Sequence, residues 1–383
     1  MDSMASTRNL DSWLGYISEQ HTEVIDMGLQ RFNQVLDQLQ PHKPAPTVIT
    51  VAGTNGKGTT CRMIEALLLQ GGYRVGTTLS PHIWRFNERI RLHGHDAGDD
   101  EICAAFAAID EARGDVALTY FEFSALAALY CMAQAQVDVA ILEIGLGGRL
   151  DAFNAIDPDI AVITSIGLDH QAFLGDTREA IGAEKAGILR SGQHVVLGQN
   201  MPASVLQRCE ELSLKPRCWG TDFSSASDID QGTWQLSRQS QASLEIPLTA
   251  IAPHNIALAC EAVADMVELD LDLIAKCSAA YMPGRMDIRQ TKDRMWILDV
   301  CHNPDGVRFF LSELASRKLR PAYFVCAMLA GKDHQGFYQS VIDAVGKNVP
   351  WLFVDSFGDR QITAHALAKT LGEEAWTADS MQQ

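Results

Sequence analysis

The stretch TVITVAGTNGKGTT at residues 47–60 decides the fold. Its β-branched apolar start reads as a buried strand, and three glycines and a lysine follow at once. Residues 59–70 then carry Met63, Ile64, Leu67 and Leu68 at helical spacing until Gly71 and Gly72 stop the run. Strand, glycine loop and helix in that order are what a phosphate-binding loop requires. Glycines let backbone N–H groups converge on phosphate oxygens, the helix N-terminus adds a favourable dipole, and Lys57 neutralises the outer phosphates. The spacing departs from G-x-x-x-x-G-K-[ST], because Val51 stands at the first glycine and Gly58 follows the lysine. A glycine turn without a ligand would leave Lys57 unexplained.

Outward from this loop, one rhythm recurs. Short apolar runs at 73–78, 137–142 (VDVAIL), 159–166 (DIAVITSI) and 194–197 end in Gly or polar residues and alternate with helix-period stretches. This predicts an α/β fold around a mostly parallel sheet, with ligands beyond the carboxyl ends of its strands. Residues 213–247 are polar and read either as a peripheral β-rich insertion or as a flexible excursion. Residues 254–268 predict an amphipathic helix, and Pro283-Gly284 marks a boundary between a unit at 1–283 and a smaller α/β unit at 284–383.

The chain has 383 residues, 47% hydrophobic and 21% charged, which excludes a disordered or fibrous protein. A formal net charge of −17 argues against a nucleic-acid partner. Nine cysteines, an odd number without a C-x-x-C pair, read as reduced thiols. No apolar run is long enough for a membrane span, and no signal-type segment opens the chain, so no membrane partner and a cytoplasmic location are expected.

The loop TVAGTNGKGTT resembles the ATP loop of the Mur ligase superfamily, and Gly58 after the lysine points to its folylpolyglutamate synthase and dihydrofolate synthase branch. Further matches follow in order: LSPH at 79–82, LTYFEF at 118–123, LEIGLGGRLDAFN at 142–154, TSIGLDH at 164–170, EKAGI at 184–188, MPGRMD at 282–287 and DVCHNP at 299–304. The resemblance implies a Mur-ligase-like central ATPase domain and a smaller Rossmann-like C-terminal domain. Set beside the family, that second domain is expected to be truncated, short of one strand and a closing helix.

On the residues alone, Glu143 and His170 follow strands and can face the phosphates, which suits magnesium chemistry, although a loop histidine is more often a hydrogen-bonding residue. Lys185 reads as a solvated helix lysine, Asn255 as a helix cap, and Arg285 and Asp299 as a surface ion pair. TYFE at 119–122 offers aromatic rings and a carboxylate to a flat heterocycle, or simply starts a helix. The resemblance implies more. Thr54, Asn55, Gly56, Lys57, Gly58, Thr59, Asn255, Arg285, Asp299 and His302 become ATP contacts, and Ser80, Glu143 and His170 become metal ligands. Lys57, Lys185 and His170 become catalytic. Asp26, Met27, Gly28, Thr119, Tyr120, Phe121, Glu122, Leu150, Asp151 and Ala152 become the pterin side.

The implied reaction joins L-glutamate to dihydropteroate and to reduced folates with ATP, through an acyl phosphate, in a monomeric enzyme with two Mg²⁺ ions. A carbamylated Lys185 and a monovalent cation are compatible with it. The alternatives are folate extension alone, another Mur-type amide ligase, or an inactive ATP-binding homologue. Phe153, Gln171 and Leu79 depart from residues common in the family and are expected to tune the substrate pocket.

Overall fold

The computed structural model describes residues 8–20, 25–39, 43–228, 231–239, 243–249, 251–279, 282–356, 361–371 and 376–378. Eight strands form the main sheet: β1 Thr47–Ala52, β2 Val75–Thr78, β3 Ile90–Leu92, β4 His95–Asp96, β5 Val139–Glu143, β6 Ile160–Ile163, β7 His194–Leu197 and β8 Arg217–Cys218. Their order is β4-β3-β2-β5-β1-β6-β7-β8. Every pairing from β2 to β8 is parallel, and β3, antiparallel to both β2 and β4, is the one strand that runs against the rest. The order turns at β1, with β5 and β2 to one side and β6 to β8 to the other, which opens a crevice at the strands' carboxyl ends.

Alternation along each central strand divides the core. Val48 and Ala52 of β1, Ala140 and Leu142 of β5, and Ala161 and Ile163 of β6 face one side. There they meet α1 Leu10–Ser18, α2 Gln30–Leu36, α4 Asp99–Arg113 and α5 Tyr120–Gln134. Ile49, Val51, Val139, Ile141 and Val162 face the other side, against α3 Lys57–Gln70, α9 Pro253–Ala262 and α10 Leu271–Ser278. Between β6 and β8 lie α6 Gln171–Leu174, α7 Arg178–Ala186 and α8 Ala203–Glu211.

The polar stretch at 213–247 resolves in favour of the β-rich reading. Strands β9 Phe223–Asp228, β10 Thr233–Arg238 and β11 Leu244–Pro247 form an antiparallel sheet, and β10 buries Trp234 and Leu236 in the second core. The helix predicted to run to residue 268 stops at Ala262. Residues 263–267 turn instead, and Val267 packs over Gly71, where a Cβ would lie 2.8 Å from its Cγ2.

A third core, from Met286 to Ala368, is separate. It joins the hairpin β12 Asp287–Gln290 and β13 Met295–Leu298 to the parallel sheet β14 Phe324–Cys326, β15 Trp351–Val354 and β16 Trp376–Ala378. Helices α11 Pro304–Ser316, α12 His334–Val345 and α13 Ala364–Leu371 pack with it. All nine cysteines are free thiols, as expected. Among the described residues, no helix is long and apolar enough to cross a membrane.

Candidate active site

The carboxyl ends of β1, β2, β5, β6 and β7 open onto one cavity of about 850 Å³. Thr54, Asn55, Gly56, Lys57, Gly58, Thr59, Ser80, Glu143, His170, Lys185, Asn255, Arg285, Asp299 and His302 all line it. Residues from the first two cores and from the third therefore meet in a single space.

The loop after β1 is held from β6. Thr54 N donates to Ser165 O at 2.8 Å, Asn55 N to Ser165 Oγ at 3.0 Å, and Thr164 Oγ1 to Asn55 O at 2.6 Å. Gly56 precedes α3 with φ +85°, a left-handed conformation that only glycine adopts freely, and a Cβ there would lie 2.6 Å from Asn255 Oδ1. Asn255 does not cap α9, since Ala252 is the cap and Pro253 the first helical residue. Its amide is buried and accepts from Thr60 Oγ1 at 3.5 Å, beside the loop.

Two lysines converge on one carbonyl. Lys57 Nζ and Lys185 Nζ each donate to Gly53 O at 3.0 Å. Lys185 is 4% exposed, not the solvated helix lysine its local sequence suggests. Burial, aided by the charge of Lys57, pulls its amine from 10.5 to about 7. Burial also lowers Lys57, with Glu143 opposing, and raises the Glu143 carboxyl, with Lys57 opposing. Glu143 Oε2 accepts Ser80 N at 2.7 Å, so carboxylate and serine come together, and Gly58 leaves them room.

His170 sits at φ +51°, strained for a residue with a side chain, at the start of α6. Burial and the charge of Lys332 lower its imidazole to about 4, so it is neutral near pH 7. Its neighbour Asp169, which reading the sequence did not single out, is the hub of the site. Asp169 accepts His302 Nε2 at 3.1 Å, Asn303 Nδ2 at 3.0 Å and Lys332 Nζ at 2.8 Å. Burial pushes its carboxyl up, but these donors override it and hold the group well below the carboxylate range. Asp169 and Asn303 stood in quoted motifs as positions next to chosen ones, whereas Lys332 stood in none. Asp299 accepts Met286 N at 2.9 Å and Cys301 N at 2.8 Å, which orders the turn carrying His302.

None of the residues expected on the pterin side lines this cavity, but they gather behind its wall at Gly145 to Gly147. Asp151 Oδ2 accepts Gly145 N and Leu146 N, both at 3.0 Å, and burial raises its carboxyl to about 6. Leu150 and Ala152 flank it, with Ala152 buried and Leu150 half-buried. A Cβ on Gly145 would lie 2.5 Å from Phe121 Cζ, and one on Gly147 3.3 Å from Met27 Cε. Phe121 meets Phe153 edge to face at 5.8 Å, and the half-buried Tyr120 meets Phe86 in the same manner at 6.1 Å.

TYFE does start a helix. Thr119 and Glu122 form a capping box on α5, in which Glu122 Oε2 takes Thr119 N at 2.8 Å. The same oxygen accepts Arg31 Nε at 2.8 Å, while the Arg31 guanidinium also holds Asp26 beside Gly28.

Comparison with known proteins agrees with this architecture. Residues 51–264 match the Mur ligase middle domain family. The chain is 40% identical to the dihydrofolate synthase/folylpolyglutamate synthase of Escherichia coli, over 96% of this chain and 89% of that one. Its structure is similar to that of Escherichia coli FolC in complex with DHPP and ADP, with a TM-score of 0.91 and 38% identity, covering 99% of this chain and 91% of the other. A bifunctional folylpolyglutamate synthase/dihydrofolate synthase with Mn, AMPPNP and L-glutamate bound is similar at a TM-score of 0.88 and 37% identity, over 98% and 91% of the two chains. With a nucleotide-loop cavity, a Mur ligase middle domain and this degree of identity, the chain belongs to the dihydrofolate synthase/folylpolyglutamate synthase family of the Mur ligases.

Proposed function

We infer that this chain ligates L-glutamate to dihydropteroate, giving dihydrofolate, and to reduced folates, giving folylpolyglutamates, at the expense of ATP. The carrying observation is the meeting of the phosphate loop, Glu143 and the residues of the third core around one cavity. It has the size and lining for a nucleotide and a second substrate. The acceptor carboxylate attacks the γ-phosphorus, a new O–P bond forms, and the bond to the β–γ bridging oxygen breaks as ADP leaves. The neutral amine of glutamate then attacks the acyl carbon, the C–O bond to phosphate breaks, and the amine loses its proton.

The protein's part is positioning and charge stabilisation. Loop amides and Lys57 hold the phosphates, with Thr54, Asn55, Gly56, Gly58 and Thr59 shaping the cradle. Asn255, Arg285, Asp299 and His302 complete the nucleotide site from α9 and the third core. Residues 1–283 form the nucleotide and pterin unit, and 284–383 the unit that closes on it.

A divalent cation fits Glu143, a buried carboxylate lining the cavity, and Ser80, whose backbone N–H that carboxylate accepts, because carboxylate and hydroxyl are hard oxygen donors that phosphate oxygens can complete. Among the described residues no cluster of three or more His, Cys, Asp or Glu could hold a metal alone, and the nucleotide's phosphate oxygens would complete the shell. Bound there, Mg²⁺ would neutralise charge on the phosphates. His170 and a carbamate on Lys185 would serve a second ion, and the amine near 7 is suited to carbamylation because its neutral form reacts with CO₂. A monovalent cation is compatible with the same reading. On the pterin side, Asp26, Met27, Gly28, Thr119, Tyr120, Phe121, Glu122, Leu150, Asp151 and Ala152 would shape the acceptor's binding wall. The enzyme would work as a monomer in the cytoplasm.

The test is phosphate release with Mg²⁺, ATP and L-glutamate, with dihydropteroate and tetrahydrofolate supplied separately and the products weighed. Amide from both acceptors is expected. Product from tetrahydrofolate alone would reduce the enzyme to folate extension, and Lys57→Ala that still ligates would refute the loop assignment.

A further inference from the structure

Asp169 belongs to the first sheet, at the end of the loop after β6, yet its three side-chain donors all come from the unit built on the third core. Two of them, His302 and Asn303, lie in the turn before α11. The third, Lys332, comes from the loop between β14 and α12. The Lys332 and Asp169 side chains are 9% and 10% exposed, so this ion pair spans the two units out of water.

The loop carrying Lys332 is braced at its end. Asp333 caps α12 through Gly336 N at 2.8 Å, and His334 Nε2 meets Leu329 O at 2.9 Å. The ammonium also lies 3.4 Å from His170 Nε2. Beside the pair, Asn303 and Asn55 exchange amide hydrogen bonds at 3.2 and 3.3 Å, tying the same junction to the phosphate loop. Gly167 lies equally close to the second unit, since a Cβ there would fall 2.0 Å from Asp305 Oδ2.

We propose that Lys332 is a positioning residue, the latch that holds the second unit against Asp169 and keeps water from the acyl phosphate until glutamate attacks. The proposal rests on the ligase reading above. An acyl phosphate has two fates. Glutamate's amine can displace phosphate to form the amide, or water can attack the same carbon, break the same C–O bond and return the free carboxylate with inorganic phosphate. The second fate wastes one ATP per event, and only exclusion of water suppresses it. Lys332 touches the joint rather than the phosphate loop, and of the three donors on Asp169 it alone is an ammonium group.

The experiment compares wild type, Lys332→Met and Lys332→Arg under saturating MgATP, glutamate and dihydropteroate, measuring phosphate and amide in the same samples. Wild type should release one phosphate per amide. Lys332→Met should raise that ratio several-fold and raise the KM for glutamate, and Lys332→Arg should restore most of the coupling. A purely structural role would lower both products together. Small-angle scattering with AMPPNP supplies an independent readout, in which the methionine variant should have the larger radius of gyration.

A ratio that stays at one, with equal radii, overturns the latch. If Lys332→Met does not fold, Lys332→Gln carries the same comparison. If wild type itself makes no amide, the ligase reading fails, and the scattering comparison still decides whether Lys332 holds the units together.

Discussion

Replacing Gly58 by alanine should raise or preserve stability while removing activity, and the two effects come from different atoms. Gly58 is the second residue of α3 and its φ is not in the left-handed region, so alanine fits the backbone. Glycine within a helix costs roughly 0.5–1 kcal/mol relative to alanine, so the variant should be unchanged or stabilised by up to about that amount. The new methyl, however, would lie 3.3 Å from Glu143 Oε1 and 3.5 Å from Oε2. Those distances oblige the carboxylate to give by a few tenths of an ångström, while its other oxygen is tied to Ser80 N at 2.7 Å.

Magnesium demands near-octahedral oxygens at about 2.0–2.1 Å, so such a shift is large on the scale of its coordination shell. A loss of about 1.4–2.8 kcal/mol in transition-state stabilisation corresponds to a ten- to hundredfold fall in kcat/KM. The assay is a magnesium titration of phosphate release alongside thermal unfolding. Full activity with an unaltered magnesium requirement would refute the placing of Glu143 at the metal. A clearly lowered Tm would refute the claim that Gly58 is there for the site rather than for the helix.

Lys185 sets a pH dependence. Its amine falls from 10.5 to about 7, so it is neutral above that pH. Bicarbonate should therefore stimulate activity increasingly as pH rises through about 7 and level off above it, and Lys185→Met should abolish the effect. Equal activity with and without bicarbonate across that range would count against carbamylation. The same shift has a sign for stability. Between about 7 and 10.5 the unfolded chain binds more protons than the folded one at this position, so the Lys185 contribution to stability rises with pH in that window and is lost below it. Trp234→Ala empties a fully buried site and should cost about 3–5 kcal/mol in denaturant unfolding. A cost below about 1 kcal/mol would mean that the β9–β11 sheet is not part of the core. Arg31→Ala strips a partner from the buried Glu122 and should cost about 1–3 kcal/mol. It should also raise the KM for dihydropteroate more than that for ATP, and equal changes would remove Arg31 from the acceptor side.

What could be read in the sequence was local. The strand, loop and helix around Gly53 announce themselves within fourteen residues, and Glu143 and His170 are found because they follow apolar runs. Thr119 and Glu122 carried a readable signal too, since T-x-x-E before an apolar run is a capping box. The period-two alternation of Trp234 and Leu236 could have separated the β sheet from a flexible excursion. What could not be read depends on distant chain. The three donors of Asp169 lie 133, 134 and 163 residues away, and no spacing rule connects a lysine after β14 to a carboxylate after β6. Burial of Lys185 is hidden for the same reason. Its helix looks like a surface helix, and the approach of Gly148 and Gly53 from distant parts of the chain helps to enclose it.

The charge balance of the cavity ties these parts together. The chain carries a net −17, and its proposed substrates, ATP, glutamate and folates, are all anions. Lys57, Lys185, Arg178 and Arg285 line the cavity, but so do Glu143, Asp169, Asp299, Asp305 and Glu313, so side chains alone offer no excess of positive charge. Three of those acids already have partners: Asp169 with Lys332, Asp305 with Arg308 and Glu313 with Arg317. Glu143, buried and raised by desolvation, is costly as an anion until a cation stands beside it. A polyphosphate entering this space therefore needs its divalent cation for two reasons, to discharge the phosphates and to offset Glu143. Nucleotide binding without the metal should be weak for that reason, whatever the loop amides contribute.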